Sequence, residues 1–337
     1  MWDVSQNATA QWAPDVLGDQ YEQLTIQLGK DPDGEGEIVA TLVRFNGGSG
    51  SDPAAPAVLY VHGFTDYFFQ RHVAEHFAEL GYAFYALDLR KCGRSRRPGQ
   101  TPHYASNLDL YDVELDAAWR VIRSETGRRV VFVAHSTGAL IGALWLDREH
   151  PDGVIGLVAN GPWVDLMGPP WVRTAGVGVI ETVGRVRPMA ILPRETSDSY
   201  GSSLHVSRHG EWDYNLEWKP LTGVPPRFGW LRAIRHGQAR LQRGLDIGVP
   251  ALILRSRRSV AARSYRPEVD RGDAIVDVRH IQRWAGCLGD RTDIVPIEGA
   301  RHDAFLSLEG PRAQAFSELD RWLDWLRHAH ATDTATR

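Results

Sequence analysis

Cysteine is nearly absent: Cys92 and Cys287 are the only two in 337 residues. Two isolated thiols make neither a disulfide framework nor a metal-ligand cluster. Long apolar runs are also missing, and no stretch reaches the roughly 18 residues a membrane span needs. The first 18 residues lack a basic segment and are interrupted by Asp3, Gln6, Asn7, Gln11 and Asp15, so no signal peptide is expected. A soluble, cytoplasmic chain without stable membrane insertion is the expectation. Charge of one sign is lacking too. Thirty-eight basic and 42 acidic residues leave a net charge of −4, too balanced for a general nucleic-acid binder. There is no internal repeat, no low-complexity tract, no His-Glu-x-x-His spacing and no glycine-rich phosphate loop ahead of a helix. Neither a metal nor an organic cofactor is therefore expected.

The composition itself is globular: 43% hydrophobic and 24% charged residues exclude a disordered, collagenous or coiled-coil chain. Two features stand out, 12 tryptophans and arginine used heavily in place of lysine. The length exceeds what one compact core usually organises. One large α/β domain, or a core with an inserted subdomain, is expected.

Two candidate strands, Tyr21–Leu28 and Ile38–Phe45, flank the turn signal Asp31-Pro32-Asp33-Gly34, which suggests an antiparallel hairpin. Gly47–Pro56 reads as a polar connector. Continuous apolar runs follow at Ala57–Val61, Ala83–Leu87, Val130–Ala134 and Val154–Ala159, the mark of strands buried on both faces. Helical patterns separate them, over Phe69–Leu80 with Gly81 as its cap, over Leu108–Ser124, and up to about Arg148. This alternation predicts a mostly parallel sheet with helices on both faces. It stops near Gly161 and resumes at Val249 with strand Ala251–Leu254, helix Val276–Leu288, strand Asp293–Ile297 and helix Pro311–His328. Ala331–Arg337 reads as a frayed tail. Residues 1–161 and 249–337 thus form one α/β core, with 162–248 inserted into it.

Ser136 stands just after a buried strand and just before a helix, in Ala134-His135-Ser136-Thr137-Gly138. That is the setting of a nucleophile elbow, G-x-S-x-G, with alanine for the first glycine. A serine that merely caps the following helix would give the same pentapeptide. The turn would aim the Thr137 N–H at an oxyanion, and His62-Gly63-Phe64, after strand Ala57–Val61, resembles the His-Gly oxyanion loop of α/β-hydrolases, which implies the Phe64 N–H as a second donor. His62 itself reads as structural. A general base should follow the last strand, which selects His302 in Glu298-Gly-Ala-Arg-His302-Asp303 over His205, His209 and His280. A carboxylate should follow strand Ala251–Leu254 to orient that imidazole. Asp270, Asp273, Asp277 and Asp290 are the candidates. Asp273 is favoured because it lies in a loop just ahead of a helix, whereas Asp277 reads as a helix-start residue.

With those segments in place, the core resembles the α/β-hydrolase superfamily, and within it the monoacylglycerol-lipase-like or serine aminopeptidase-like serine hydrolases. Asp88-Leu-Arg-Lys-Cys-Gly-Arg-Ser95 is similar to that family's D-x-R-G-x-G-x-S segment, with Lys91 at the usual glycine. The resemblance implies an α/β-hydrolase fold with an inserted helical cap and a Ser136, Asp273, His302 triad in the order Ser, Asp, His. It further implies a small-molecule ester as substrate. Amide or C–C bond hydrolysis by the same triad, or a non-catalytic hydrolase-like binding protein, are the alternatives. The oligomeric state is left open, a dimer included.

Five of the 12 tryptophans, Trp163, Trp171, Trp212, Trp218 and Trp230, fall in the inserted segment. Trp163, directly after a core strand, is the candidate substrate-binding residue. Val177–Arg187 reads as a short amphipathic helix. From Arg227 to Arg271 there are 11 arginines, no lysine and three acids, Asp246, Glu268 and Asp270. One or two of these arginines facing the pocket would recognise a substrate carboxylate. A solvated face is the plainer account.

Overall fold

The computed structural model describes residues 11–48, 52, 54–168, 175–193 and 197–335; Trp171 and part of the 47–56 connector lie outside them. A two-residue strand, β1 (Ala13–Pro14), leads into β2 (Tyr21–Lys30) and β3 (Glu37–Phe45), which pair antiparallel across the expected turn. The apolar runs become β4 (Ala57–Val61), β5 (Ala83–Asp88), β6 (Val130–His135), β7 (Val154–Asn160) and β8 (Ala251–Ser256), and β9 (Thr292–Ile297) follows. Together these nine strands, among the described residues, make one sheet in the order β1-β2-β3-β5-β4-β6-β7-β8-β9. From β5 through β9 every pairing is parallel. Pro296 is tolerated because β9 is an edge strand.

Alternate side chains of β6 enter two different cores, as the period of a strand requires. Val130, Phe132 and Ala134 pack with Leu115, Ile122, Leu144 and Trp145, from helices α2 (Asp112–Thr126) and α3 (Thr137–Glu149). Val131 and Val133 face the other way, onto Val73, Phe77, Leu319 and Leu323. Those come from α1 (Arg71–Glu79) and α8 (Glu309–Ala335). Each such buried apolar side chain contributes roughly 1.5–3 kcal/mol. The helices therefore cover both faces of the sheet, as an α/β-hydrolase requires.

Some boundaries differ from the sequence expectation. The α2 pattern begins with a 3-10 turn, Leu108–Tyr111, and the helix ends at Gly127, whose φ is +64°. The helix expected over Val276–Leu288 is α-helical only in Val278–Trp284 and continues as a 3-10 turn, Ala285–Cys287. Gly286 explains the break, since glycine lowers helix propensity. Residues 331–335, expected to fray, continue the backbone of α8.

Between β7 and β8 the chain leaves the sheet and forms three helices, α4 (Ala175–Val186), α5 (Ser199–Leu204) and α6 (Phe228–Leu241). With α7 (Val278–Trp284) this completes the α-helices of the described residues. Ile180, Trp230, Leu231 and Ile234 join the core on the α2–α3 side. This segment lies at the carboxyl ends of the parallel strands, where open α/β sheets place their ligands.

Candidate active site

Ser136 stands between β6 and α3 with φ +53° and ψ −115°. A non-glycine residue with this backbone is strained, and such strain is held only where the surroundings over-determine it. Ser136 N–H donates to the Asn160 carbonyl of β7 (2.9 Å), and the Ser136 carbonyl accepts from Ala139 (3.2 Å) and Trp163 (3.3 Å). The glycine two residues on is a steric requirement: a Cβ on Gly138 would lie 2.3 Å from the His62 carbonyl oxygen. Ala134, at the elbow's first position, has its methyl fully buried in the sheet.

His302 follows β9 and brings its ring to the elbow. Its Nε2 is 2.9 Å from Ser136 Oγ and its Nδ1 is 2.9 Å from Asp273 Oδ2. Asp273 is fixed in turn by the Ile275 and Val276 amides, which both donate to Oδ1 at 2.8 Å. Its own backbone is clamped to the Arg258–Val260 strand-like stretch by two hydrogen bonds of 2.9 and 2.7 Å. All three side chains are buried, with residue exposures of 7% for Ser136, 1% for Asp273 and 2% for His302.

The other acids weighed for this position do different work. Asp270 accepts from Arg301 (2.7 Å) and from the Tyr265 hydroxyl (2.8 Å). Asp277 caps α7 by accepting from Arg279 N–H at 3.0 Å, and Asp290 is exposed. Of the histidines weighed as the base, His205 bonds Ser207 and the Tyr214 carbonyl, and His209 stacks on Tyr265 at 3.8 Å.

His62 is structural in its contacts. Its Nε2 accepts from the Leu89 amide at 3.1 Å, so the proton sits on Nδ1 and is donated to the Gly63 carbonyl at 2.7 Å. The loop it holds presents Phe64, and α3 begins at Thr137. Neither the Phe64 nor the Thr137 amide is hydrogen-bonded to another described residue. Both residues line a cavity of about 10 Å³ with Cys92, His103, Ile141 and Trp230, roughly the size of one water. No arginine among the described residues lines this cavity. In the arginine-rich run, Arg232 pairs with Glu181, Arg235 with Asp165, Arg240 with Asp147 and Arg257 with Glu298. These arginines fasten structure together.

The segment between β7 and β8 touches this centre at several points. Trp230 stacks on Phe64 with ring centroids 3.9 Å apart, and Trp163 lies 5.9 Å from Trp230 with its buried Nε1 unpartnered. Tyr200 sets its ring edge-to-face on His302 at 5.9 Å, and its hydroxyl accepts from the Asp303 amide at 3.2 Å. Burial holds the Tyr200 phenol well above its ordinary pKa, hence neutral. Sequence reasoning missed Tyr200, and it missed a buried ion pair between Asp66 and Lys219. Among the described residues no group of three or more His, Cys, Asp or Glu is placed to hold a metal ion, and no helix is long and apolar enough to cross a membrane.

No curated protein matches the chain. A soluble variant of the monoglyceride lipase of Saccharomyces cerevisiae is similar in fold, with a TM-score of 0.65, 16% identity, and 94% of this chain and 99% of that one covered. The monoacylglycerol lipase of Paleococcus ferrophilus gives a TM-score of 0.57 at 19% identity over 83% of this chain and 96% of its own. A thermostable carboxyl esterase of Bacillus coagulans gives 0.62 at 13% identity, covering 92% of this chain and all (100%) of that one. A family model, Serine aminopeptidase, S33, matches residues 52–262. With more than half of its length matched by that model, and with the sheet order described above, the chain belongs to the serine aminopeptidase S33 family of α/β-hydrolases.

Proposed function

We propose that the protein cleaves carboxylic esters through an acyl-enzyme formed on Ser136. The observation that carries this reading is the continuous hydrogen-bonded chain from Ser136 through His302 to Asp273, with two unbonded backbone amides beside it. His302 takes the hydroxyl proton through Nε2 as Oγ attacks the acyl carbonyl. Asp273 holds the Nδ1–H tautomer and stabilises the imidazolium. The Phe64 and Thr137 amides receive the oxyanion, each such donor being worth about 10²–10³ in rate. His302 then protonates the leaving alcohol, and water releases the acyl group by the same route.

Residues 162–248 act as a cap over this centre in the proposed reading, with Trp230 and Trp163 forming the apolar wall against the substrate. Ester cleavage is favoured over removal of an N-terminal amino acid by a simple charge argument. A substrate ammonium needs a free carboxylate near the scissile bond. Asp66 is already paired with Lys219, and Asp303 is fully buried with one oxygen on the Asn160 amide.

Hydrolysis of a nitrophenyl ester series of increasing acyl length tests the proposal, with Ser136→Ala as control. The expected result is turnover that falls by at least about 10⁴-fold in the variant. Equal rates for the two proteins would refute it.

A further inference from the structure

The chain has only three lysines, Lys30, Lys91 and Lys219, against 35 arginines. Lys219 belongs to the cap and is 6% exposed, with its ammonium 2.7 Å from Asp66 Oδ1 and over the rings of Phe69 and Tyr214 at 5.6 and 5.7 Å. Asp66 is fully buried, and its Oδ2 is 3.3 Å from Nδ1 of His135, the residue before the nucleophile. The His135 ring lies 4.9 Å from the His302 ring. Nδ1 of His135 carries the proton that faces the carboxylate, while its buried Nε2 has no partner and would find no acceptor for a second proton.

We propose that Lys219 is a positioning residue: from the cap it supplies the counter-charge of Asp66 and so leaves His135 uncharged beside the His302 ring. This rests on the acyl-enzyme reading above. The cap is seated around the same loop by two further bonds, Val224 N–H to Thr65 Oγ1 (3.0 Å) and Asn215 N–H to the Tyr67 hydroxyl (2.8 Å). Burial works to raise the Asp66 pKa, but the Lys219 ammonium and the His135 contact hold it well below the usual carboxylate range.

Asp88 pairs with Arg94 and Asp273 holds His302, while Asp303 bonds Asn160 through Oδ1 and leaves its buried Oδ2 without a partner among the described residues. His62 is tied at both ring nitrogens, and burial brings the His103 pKa down to about 3. Burial keeps the phenols of Tyr60, Tyr67, Tyr200 and Tyr214 protonated. Without the ammonium, a proton taken up by the pair can settle on Asp66 itself or on His135, and it is the His135 position that bears on the His302 ring. A charge on His135 would then oppose the imidazolium that His302 forms during acylation. The consequence has a definite sign: kcat falls, and the acid limb of the kcat/KM profile moves to lower pH.

The test is the pH dependence of nitrophenyl acetate hydrolysis by wild type, Lys219→Met, Lys219→Gln and Asp66→Asn/Lys219→Met. Both single variants are expected to lose about 10- to 100-fold in kcat, with the limb lowered by about one pH unit. In the double variant, where no carboxylate needs a counter-charge, the limb returns to its wild-type position. Lys219→Gln keeps a donor for Asp66 and serves if Lys219→Met fails to fold. A higher KM with an unmoved limb in a folded single variant, or a limb that stays displaced in the double variant, overturns the proposal. A wild type that neither hydrolyses the ester nor reacts with a fluorophosphonate refutes the acyl-enzyme reading instead, and this inference with it.

Discussion

His302 Nε2 lies 2.9 Å from Ser136 Oγ although the two residues are 166 positions apart in the chain. They meet because each sits just beyond the carboxyl end of a strand of the same parallel sheet, β6 for Ser136 and β9 for His302. The carboxylate that completes the arrangement comes from the loop after β8, which separates two acids three residues apart by what they touch.

That separation is testable. Asp273→Asn is expected to lower kcat by about 10³–10⁴, because the amide favours the wrong tautomer of His302, with little change in unfolding temperature. Asp270→Asn should leave kcat within a few-fold while weakening the fold by about 1–3 kcal/mol, since Arg301 loses its partner. Ester kinetics and urea titrations of the two variants check both halves.

Gly138→Ala probes the elbow without touching a reacting atom. The added methyl must displace the His62 carbonyl, which it would approach to 2.3 Å. A destabilisation of about 1–3 kcal/mol is expected, together with a loss of ester turnover as the Phe64 loop shifts. Normal kinetics and an unchanged unfolding midpoint would show that the close packing is not required.

Acid should destabilise the protein over a defined window. Burial lowers the His72 pKa to about 4, opposed in part by its hydrogen bond to the Phe305 carbonyl. The unfolded chain takes up that proton near pH 6.5, where free imidazole titrates. The unfolded state therefore binds more protons between about 6.5 and 4. Stability from this group is complete above the upper value and is lost as pH falls through the lower one. Urea midpoints at pH 7.5 and 4.5 should fall for the wild type and fall less for His72→Gln; an equal drop in both would contradict the assignment.

Lys91 occupies the position where the family motif has glycine, with φ +60°, and its ammonium lies 2.6 Å from Asp31 and 2.9 Å from Glu35. Glycine would relieve the backbone strain, worth about 1 kcal/mol, but would leave two acids without their cation. Lys91→Gly is therefore expected to lose about 2–4 kcal/mol net by chemical denaturation. A stabilised variant would mean that backbone strain outweighs the ion pair.

Much of the architecture was legible because the central parallel strands β4, β6 and β7 are buried on both faces. A five-residue run such as Ala57–Val61 has no polar position to blur its limits, and it is the strand observed. Ser136 was legible because it directly follows such a run, and His302 because it lies in the turn after the last strand, β9. The choice of Asp273 over Asp270 was only a preference, since both occupy the same loop and the deciding contacts are tertiary. Lys219 and Asp66 were not legible at all. Their ion pair spans 153 positions and joins two loops without periodicity; the scarcity of lysine was the one available signal. Tyr200 was hidden for the same reason, its partner Asp303 being 103 residues away.

The most direct measurement of the central claim is reaction with a fluorophosphonate followed by mass spectrometry of the labelled peptide. The account predicts one adduct, on Ser136, which is abolished in Ser136→Ala and strongly slowed in Asp273→Asn. An unlabelled protein, or an adduct on any other residue that persists in Ser136→Ala, would contradict it.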